Sequence, residues 1–349
     1  MYTREILPPR SGPVERGKPL PGTWNAPFDE VDLLMVKMPF PFPLPRGLRD
    51  CRIKEWETFI AQDERFFLQA VLCNLKYFRW AQVLLYNKET KEQLRFRKLI
   101  PFGGWRMPRT LANASIDSRS YGFFFRIHDW LDADLVKVDL DIEATRKRPA
   151  FTAHLEYEAD RRRATPMAVN LLFSELRCMY AYKSVAPVRG DMVFGGQHIS
   201  LDPGTTTGFF GDFKGYYPYR MYSAWCTGVG FDEQNRRYGF SIAENQTKET
   251  FKNNENAIWV NGALTPLPPV HITMPHGVEA DWIIQDMEGM VDLVFTPQEQ
   301  IHSGLNLLAA KAEYSTPLGW YNGTILDAAG TPVTLHNHWG FGERLTLRI

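Results

Sequence analysis

Between Leu201 and Pro269 the chain crowds carboxylates, amides, aromatic rings and glycines into short strand-like runs, the composition of an enclosed pocket. Asp212 falls in a stretch bracketed by Gly211 and Gly215, which reads as a turn, just before the aromatic run YYPYRMYSAW. A carboxyl group at the mouth of an apolar cavity has its pKa raised by lost hydration and becomes a proton donor near neutrality. The same residue could equally cap a turn or pair with Lys214. Asn254, Glu255 and Asn256 place three polar side chains in a row before a short strand, where they could bond a ligand or satisfy backbone groups. Glu343 shares strand parity with Leu345 and Leu347, so it faces inward if they do, and an inward carboxylate needs a partner such as Arg220 or Arg348.

A strand over 219–227 would put Tyr219, Met221, Ser223, Trp225 and Thr227 on one face, a lining suited to an amphiphilic ligand, and Arg220 on the other. Tyr217, beside Tyr216 and just before Pro218, reads as a rim residue. These rings could also simply fill a core. His336 and His338 have the spacing of a strand metal pair, but parity with Val333 and Leu335 turns them away from the apolar side, and no metal site is expected. Gly103-Gly104 and Gly195-Gly196 lack the strand-to-helix context of a phosphate loop, and no nucleophile-elbow or zinc-protease motif occurs. No cofactor is expected.

Strands must position these groups, because helical periodicity is scarce. LVKVDLDIEA puts Val136, Val138, Leu140 and Ile142 on one face; FTAHLEY does the same with Phe151, Ala153, Leu155 and Tyr157. Asn261-Gly262 between apolar runs predicts a two-residue hairpin, and Asp327–Gly330 marks another. Residues 168–182 and 298–312 suit either helical turns or strands. Residues 1–50 are Pro-rich; Pro39, Pro41, Pro43 and Pro45 alternate with Phe40, Phe42 and Leu44, predicting an extended arm laid against the body.

With 40 basic and 40 acidic side chains the chain offers no basic excess for nucleic acid or an anionic membrane. No apolar run is long enough for a transmembrane helix, and the polar N-terminal stretch lacks a signal-peptide core, so a cytoplasmic protein with four reduced cysteines is expected. The fold class that follows is all-β.

GDFKGYYPYRMYSAW, YGFSIA and NENAIWVNGALTPLP, with KEWETFIAQDERFF and the closing GWYNGTILDAAGTPVTLHNHWGFGER, resemble a bacterial family known as domain of unknown function 2804. That family looks distantly similar to carotenoid 1,2-hydratases and to two-barrel lipocalin-like cyclases. The resemblance implies two tandem lipocalin-like antiparallel β-barrels, at 51–189 and 190–349, behind the extended arm at 1–50. It implies Asp212 as the acid, Tyr219 and Trp225 as a wall tolerant of cations, and Asn256 or Glu343 as orienting partners. Ser223 and Ser241 depart from the pattern, where a tryptophan and a larger amide would be typical, and so reshape the pocket.

The expected partner is therefore a small hydrophobic or amphiphilic molecule. Three functions stay open: a cofactor-independent acid–base hydratase, isomerase or cyclase using Asp212, Glu255 and Glu343; a non-catalytic carrier of a hydrophobic metabolite; and a carbohydrate-active enzyme, if Asp212 and Glu343 face each other across a groove.

Overall fold

The computed structural model describes residues 1–101, 104–146, 148–306 and 311–348. Two antiparallel sheets dominate it, and among the described residues the only α-helix is Arg46–Arg52.

The first sheet runs, neighbour to neighbour, through Gln93–Pro101, Phe78–Asn87, Phe66–Asn74, Lys54–Gln62, Thr207–Gly215, Cys178–Phe194, Phe151–Glu158, Leu135–Ile142, Phe123–Trp130 and Ala114–Ser120. It curls on itself: Phe96, on one edge strand, stacks on Phe151 with ring centroids 5.8 Å apart. The hollow of the curl holds a core that includes Phe125, Val138, Leu155, Tyr157, Tyr180 and Phe210. The second sheet runs Ala263–Pro266, Ala257–Val260, Arg237–Glu244, Arg220–Phe231, Pro332–Arg348, Leu318–Leu326, Val291–Glu299, Trp282–Asp286 and Val270–Thr273. It curls as well: the Glu244 carboxylate accepts the backbone N–H of Ile272, on the last strand, at 2.9 Å. Tyr238, Phe240, Trp282, Phe295 and Tyr321 fill its hollow.

A third core lies between the sheets, where the outer face of one packs on the outer face of the other; we call it the seam. Ile60, Phe67, Tyr86, Phe209 and Phe213 meet Met221, Trp225, Trp339 and Phe341 there. Gln62 fastens the two sheets by donating to the Val229 and Trp339 carbonyls at 2.9 and 3.2 Å. Gly239 permits the approach, since a Cβ there would fall 2.6 Å from the Val185 side chain.

The alternation read in Leu135–Ile142 and Phe151–Glu158 is present: every residue assigned inward is at most 4% exposed. Asn261 and Gly262 take φ of +47° and +83° between the paired Val260 and Ala263, the two-residue turn that Asn-Gly specifies. Residues 168–182 take the strand option in Met167–Leu172 and Cys178–Phe194. The described part of 298–312 contains strand His302–Asn306, and residues 307–310 lie outside the described residues, as does Gly103 of the Gly103-Gly104 pair.

Three expectations need correction. Asp212 is not in a turn: it sits in mid-strand in Thr207–Gly215, the strand that joins the two halves of the first sheet. All nine residues of that strand are buried, because one face lines the hollow and the other the seam, so its sequence shows no alternation. Its glycines serve close packing; a Cβ on Gly211 would lie 2.6 Å from the Phe213 ring. The sheets accordingly divide between Gly215 and Arg220 and not near residue 190. Finally, residues 1–50 are no simple arm. Gly22–Trp24 pairs with Met167–Leu172, Tyr2 is buried on the second sheet, and Met38 (φ +51°) breaks the extended run. Phe40 does pack on the body, edge-on to Tyr216 at 6.0 Å, while Phe42 is 56% exposed.

Candidate functional site

Two clusters of buried ionisable groups lie back to back across the strands Cys178–Phe194 and Thr207–Gly215. Strand parity decides which residue belongs to which. Tyr180, Tyr182, Phe210, Asp212 and Lys214 point into the hollow of the first sheet; Met179, Ala181, Lys183, Phe209 and Phe213 point into the seam.

In the seam, the fully buried Lys183 ammonium bonds the Glu255 carboxylate at 2.7 Å, the Glu255 carbonyl at 3.1 Å and the Ser241 hydroxyl at 2.8 Å. Burial pulls Lys183 below the usual lysine range, against the pull of Glu255 upward. The other Glu255 oxygen accepts from Asn245 at 2.7 Å, so both are engaged. Ser241 also accepts the Trp225 indole N–H at 2.9 Å, which fixes that ring edge-on against Phe341 at 5.1 Å and close to Phe213 at 5.8 Å. Tyr217 stacks on Trp56 at 5.6 Å, and Met221 is buried in the same core.

Glu343 stands directly opposite Trp225 across the strand pair and therefore shares its face. Its carboxylate accepts the Tyr314 hydroxyl at 2.8 Å. Burial first, and the nearby Glu255 charge second, push Glu343 up to about 7 against the effect of that hydrogen bond. A carboxyl group that titrates near neutrality beside an indole face is equipped to give or take a proton.

In the hollow, Asp212 is bonded to Lys214, and both are at most 2% exposed. Glu57, opposite Asp212 on the neighbouring strand, and Asp129 are completely buried as well. Neither oxygen of Glu57 or Asp129 has a hydrogen-bond partner among the described residues, nor does the second oxygen of Asp212 or the Tyr180 hydroxyl. Burial, then mutual repulsion, drives Glu57 and Asp129 well above the carboxylate range; burial raises Asp212 too. Desolvation works against the charge on Lys214, but the surrounding acids together outweigh it and keep the ammonium charged.

The residues singled out from sequence thus scatter. Tyr217, Met221, Trp225, Glu255 and Glu343 come together in the seam. Asp212 lies in the other compartment. Tyr219 is 51% exposed and Arg220 is exposed on the face away from Glu343, so neither lines the seam; a proline before the strand and the strand's late start at Arg220 leave them outside. Asn254 and Asn256 serve the backbone: Asn256 accepts from Ala243 N–H at 2.7 Å and donates to the Pro268 carbonyl at 2.9 Å, and Asn254 donates to the Thr250 carbonyl at 3.0 Å. His338 shares a 2.7 Å bond with the Tyr238 hydroxyl, and burial lowers its pKa. Among the described residues no group of three His, Cys, Asp or Glu side chains could hold a metal ion. Sequence reasoning missed Lys183, Glu57, Asp129 and Tyr314. For Lys183 a signal existed, a lone charge inside the apolar run MYAYKSVA.

Two curled antiparallel sheets joined along one face define a two-barrel, mostly β protein. The chain belongs to the family described as Domain of unknown function (DUF2804), whose model matches residues 13–348. Among solved structures it is similar to CghA at 11% identity and a TM-score of 0.50, over 85% of this chain and 88% of that one. It also matches kievitone hydratase from Nectria haematococca at 12% identity and a TM-score of 0.46, over 84% and 88% of the two chains. CghA with Sch210972 matches at 9% identity and a TM-score of 0.49, over 85% and 88%. At such identities the likeness to CghA concerns the fold alone. No curated protein matches the chain. No helix among the described residues is long and apolar enough to cross a membrane.

Proposed function

We propose that the seam binds a small hydrophobic or amphiphilic molecule and that Glu343 transfers a proton to or from it without a metal or nucleotide. The observation that carries this is Glu343 itself: a part-buried carboxyl, raised to about 7, aligned with Trp225. In a hydration, its proton would pass to one alkene carbon and water would add to the other. The water's surplus proton would then return to the carboxylate. The faces of Trp225 and Phe213 would stabilise the intervening cation. Tyr217 and Met221 supply apolar wall. Glu255 holds Lys183 and positions Ser241 and Trp225 through it.

Native mass spectrometry of the purified protein identifies a co-purified ligand, and its turnover is then followed in Glu343→Gln. Loss of roughly 10²–10⁴-fold in rate with ligand affinity retained is the expected result. Full turnover by Glu343→Gln on that ligand would sink the assignment. The carrier reading has its own support, since Glu255 and Asp212 are each tied to a buried lysine; a ligand recovered chemically unchanged after incubation would favour it. The carbohydrate reading loses its premise, because Asp212 and Glu343 face different compartments.

A further inference from the structure

A cavity of about 470 Å³ opens at one end of the first sheet, roofed by the helix Arg46–Arg52 and the segments around residues 31–34 and 106–109. Its inner boundary is Lys214, and the cluster Asp212, Glu57 and Asp129 lies behind that residue. The volume falls in the range of small-molecule sites.

The charge of the lining is one-sided. Six basic residues (Arg46, Lys76, Arg79, Arg106, Arg109 and Lys214) face three acids (Asp32, Asp50 and Glu55) in a chain whose formal net charge is zero. The three acids are already taken. Lys76 bonds Asp50 at 3.0 Å and also Glu55, while Arg109 at 3.0 Å and Arg46 at 3.6 Å share Asp32. That leaves Arg106 with no acidic partner among the described residues. Among the described residues Arg79 is bonded only to carbonyls, those of Trp105 at 3.1 Å and Lys76 at 3.5 Å. Guanidinium groups turned toward a concavity without carboxylates to neutralise them are receptors for planar anions. Beside them Val31, Leu33, Ile53 and Met107 give the cavity one apolar wall.

From this we infer that the cavity is a second ligand site, separate from the seam, for a small organic anion. Its acid group meets Arg79 and Arg106, and its apolar body lies along the Val31–Ile53 wall toward Lys214. A bare inorganic anion would leave that wall unused, and a neutral molecule would leave the surplus cations unanswered. Of the buried cluster only Lys214 reaches the lining, so a polar atom at the inner end meets its ammonium.

The site is tested by calorimetric titration of the full chain with phenylpropionate, its uncharged amide and inorganic phosphate. Saturable binding of phenylpropionate, with the amide weaker by roughly tenfold or more, is expected from loss of one charge-assisted contact. Arg106→Gln, at an exposed position that the fold does not need, should weaken phenylpropionate by a similar factor with an unchanged melting temperature. Arg79→Gln should do the same and guards against compensation at Arg106. Glu343→Gln, in the seam, should bind phenylpropionate as the parent protein does, which keeps this inference separable from the proposed function. Equal binding of acid and amide, or parental affinity in both arginine variants, overturns the site. So does phosphate binding without phenylpropionate, or no saturable binding of either anion.

Discussion

The seam and the hollow of the first sheet each bury a lysine on the same pair of strands. Lys183 stands opposite Gly211 and Lys214 opposite Tyr180, so the two ammonium groups project from opposite faces. Around Lys183 the charges balance. It has one carboxylate, and that carboxylate and the ammonium have all their principal contacts made. Around Lys214 they do not balance. Three carboxyls share one ammonium, and most of their oxygens have no described partner. A balanced, fully bonded pair fixes geometry, here the position of Ser241 and hence of the Trp225 ring. An acid-rich cluster can be accommodated only by holding protons, so the hollow is where the molecule keeps protons away from solvent. Glu343 belongs to neither pattern, being only part-buried, and is the acid whose proton is within reach of solvent and seam together.

The comparison breaks most visibly through its lysines. Lys183→Met strands Glu255 in the seam and should cost about 3–5 kcal/mol in urea unfolding, the typical penalty for orphaning one partner of a buried pair. Lys183→Met with Glu255→Gln should regain a large part of that loss; no recovery in the double variant would show that the pair does not act as a unit. The hollow should respond in the opposite sense. Its acids have folded pKa values above their unfolded ones, so their stabilising contribution is complete below the ordinary carboxylate range and is lost as pH rises through the raised values. Asp129→Asn or Glu57→Gln should therefore flatten the alkaline side of the melting-temperature profile. The gain over the parent there should be on the order of 1 kcal/mol. A profile as steep as the parent's would mean that these carboxyls are ionised and paired after all.

Activity gives a third contrast. If Glu343 acts as the acid, turnover should fall as pH rises through about 7, whereas Glu343→Gln should leave a residual rate without that limb. The smallest effect is expected at Ser241→Ala, about 1 kcal/mol of stability, since it removes one acceptor from both Lys183 and Trp225. A red-shifted or broadened Trp225 emission would report the freed indole.

Much of the architecture was legible wherever one face of a strand is wet. Val136–Ile142, Phe151–Tyr157 and the Asn261-Gly262 hairpin declare themselves because alternation or positive φ leaves a mark in the residue types. The site was legible only in part, and for a specific reason. Thr207–Gly215 is buried on both faces, so TGFFGDFKG carries no period, and its glycines imitate a turn while actually making room for rings. Read as a turn, it hides that Asp212 sits in mid-strand in the first sheet. Trp225, Met221 and Glu343 share the face that strand parity assigns them, since their strands pair in simple register. Lys183, Tyr314 and Asp129 come from strands distant in sequence, and only topology brings them to their partners.

The N-terminal segment has a consequence for how the chain is made. Arg4 donates to the Asn254 and Asn256 carbonyls at 2.7 and 3.2 Å, and the Tyr2 hydroxyl donates to the Phe251 carbonyl, contacts about 250 positions apart in sequence. During synthesis Arg4 emerges roughly 10–50 s before those acceptors exist, at ordinary elongation rates. The segment must wait, unpaired, while the first sheet forms around it. Its docking is a late, long-range closure, with the loop-entropy cost that such closures carry. The loop that presents Glu255 to Lys183 is thus clasped by residues made long before it and among the last to find their place.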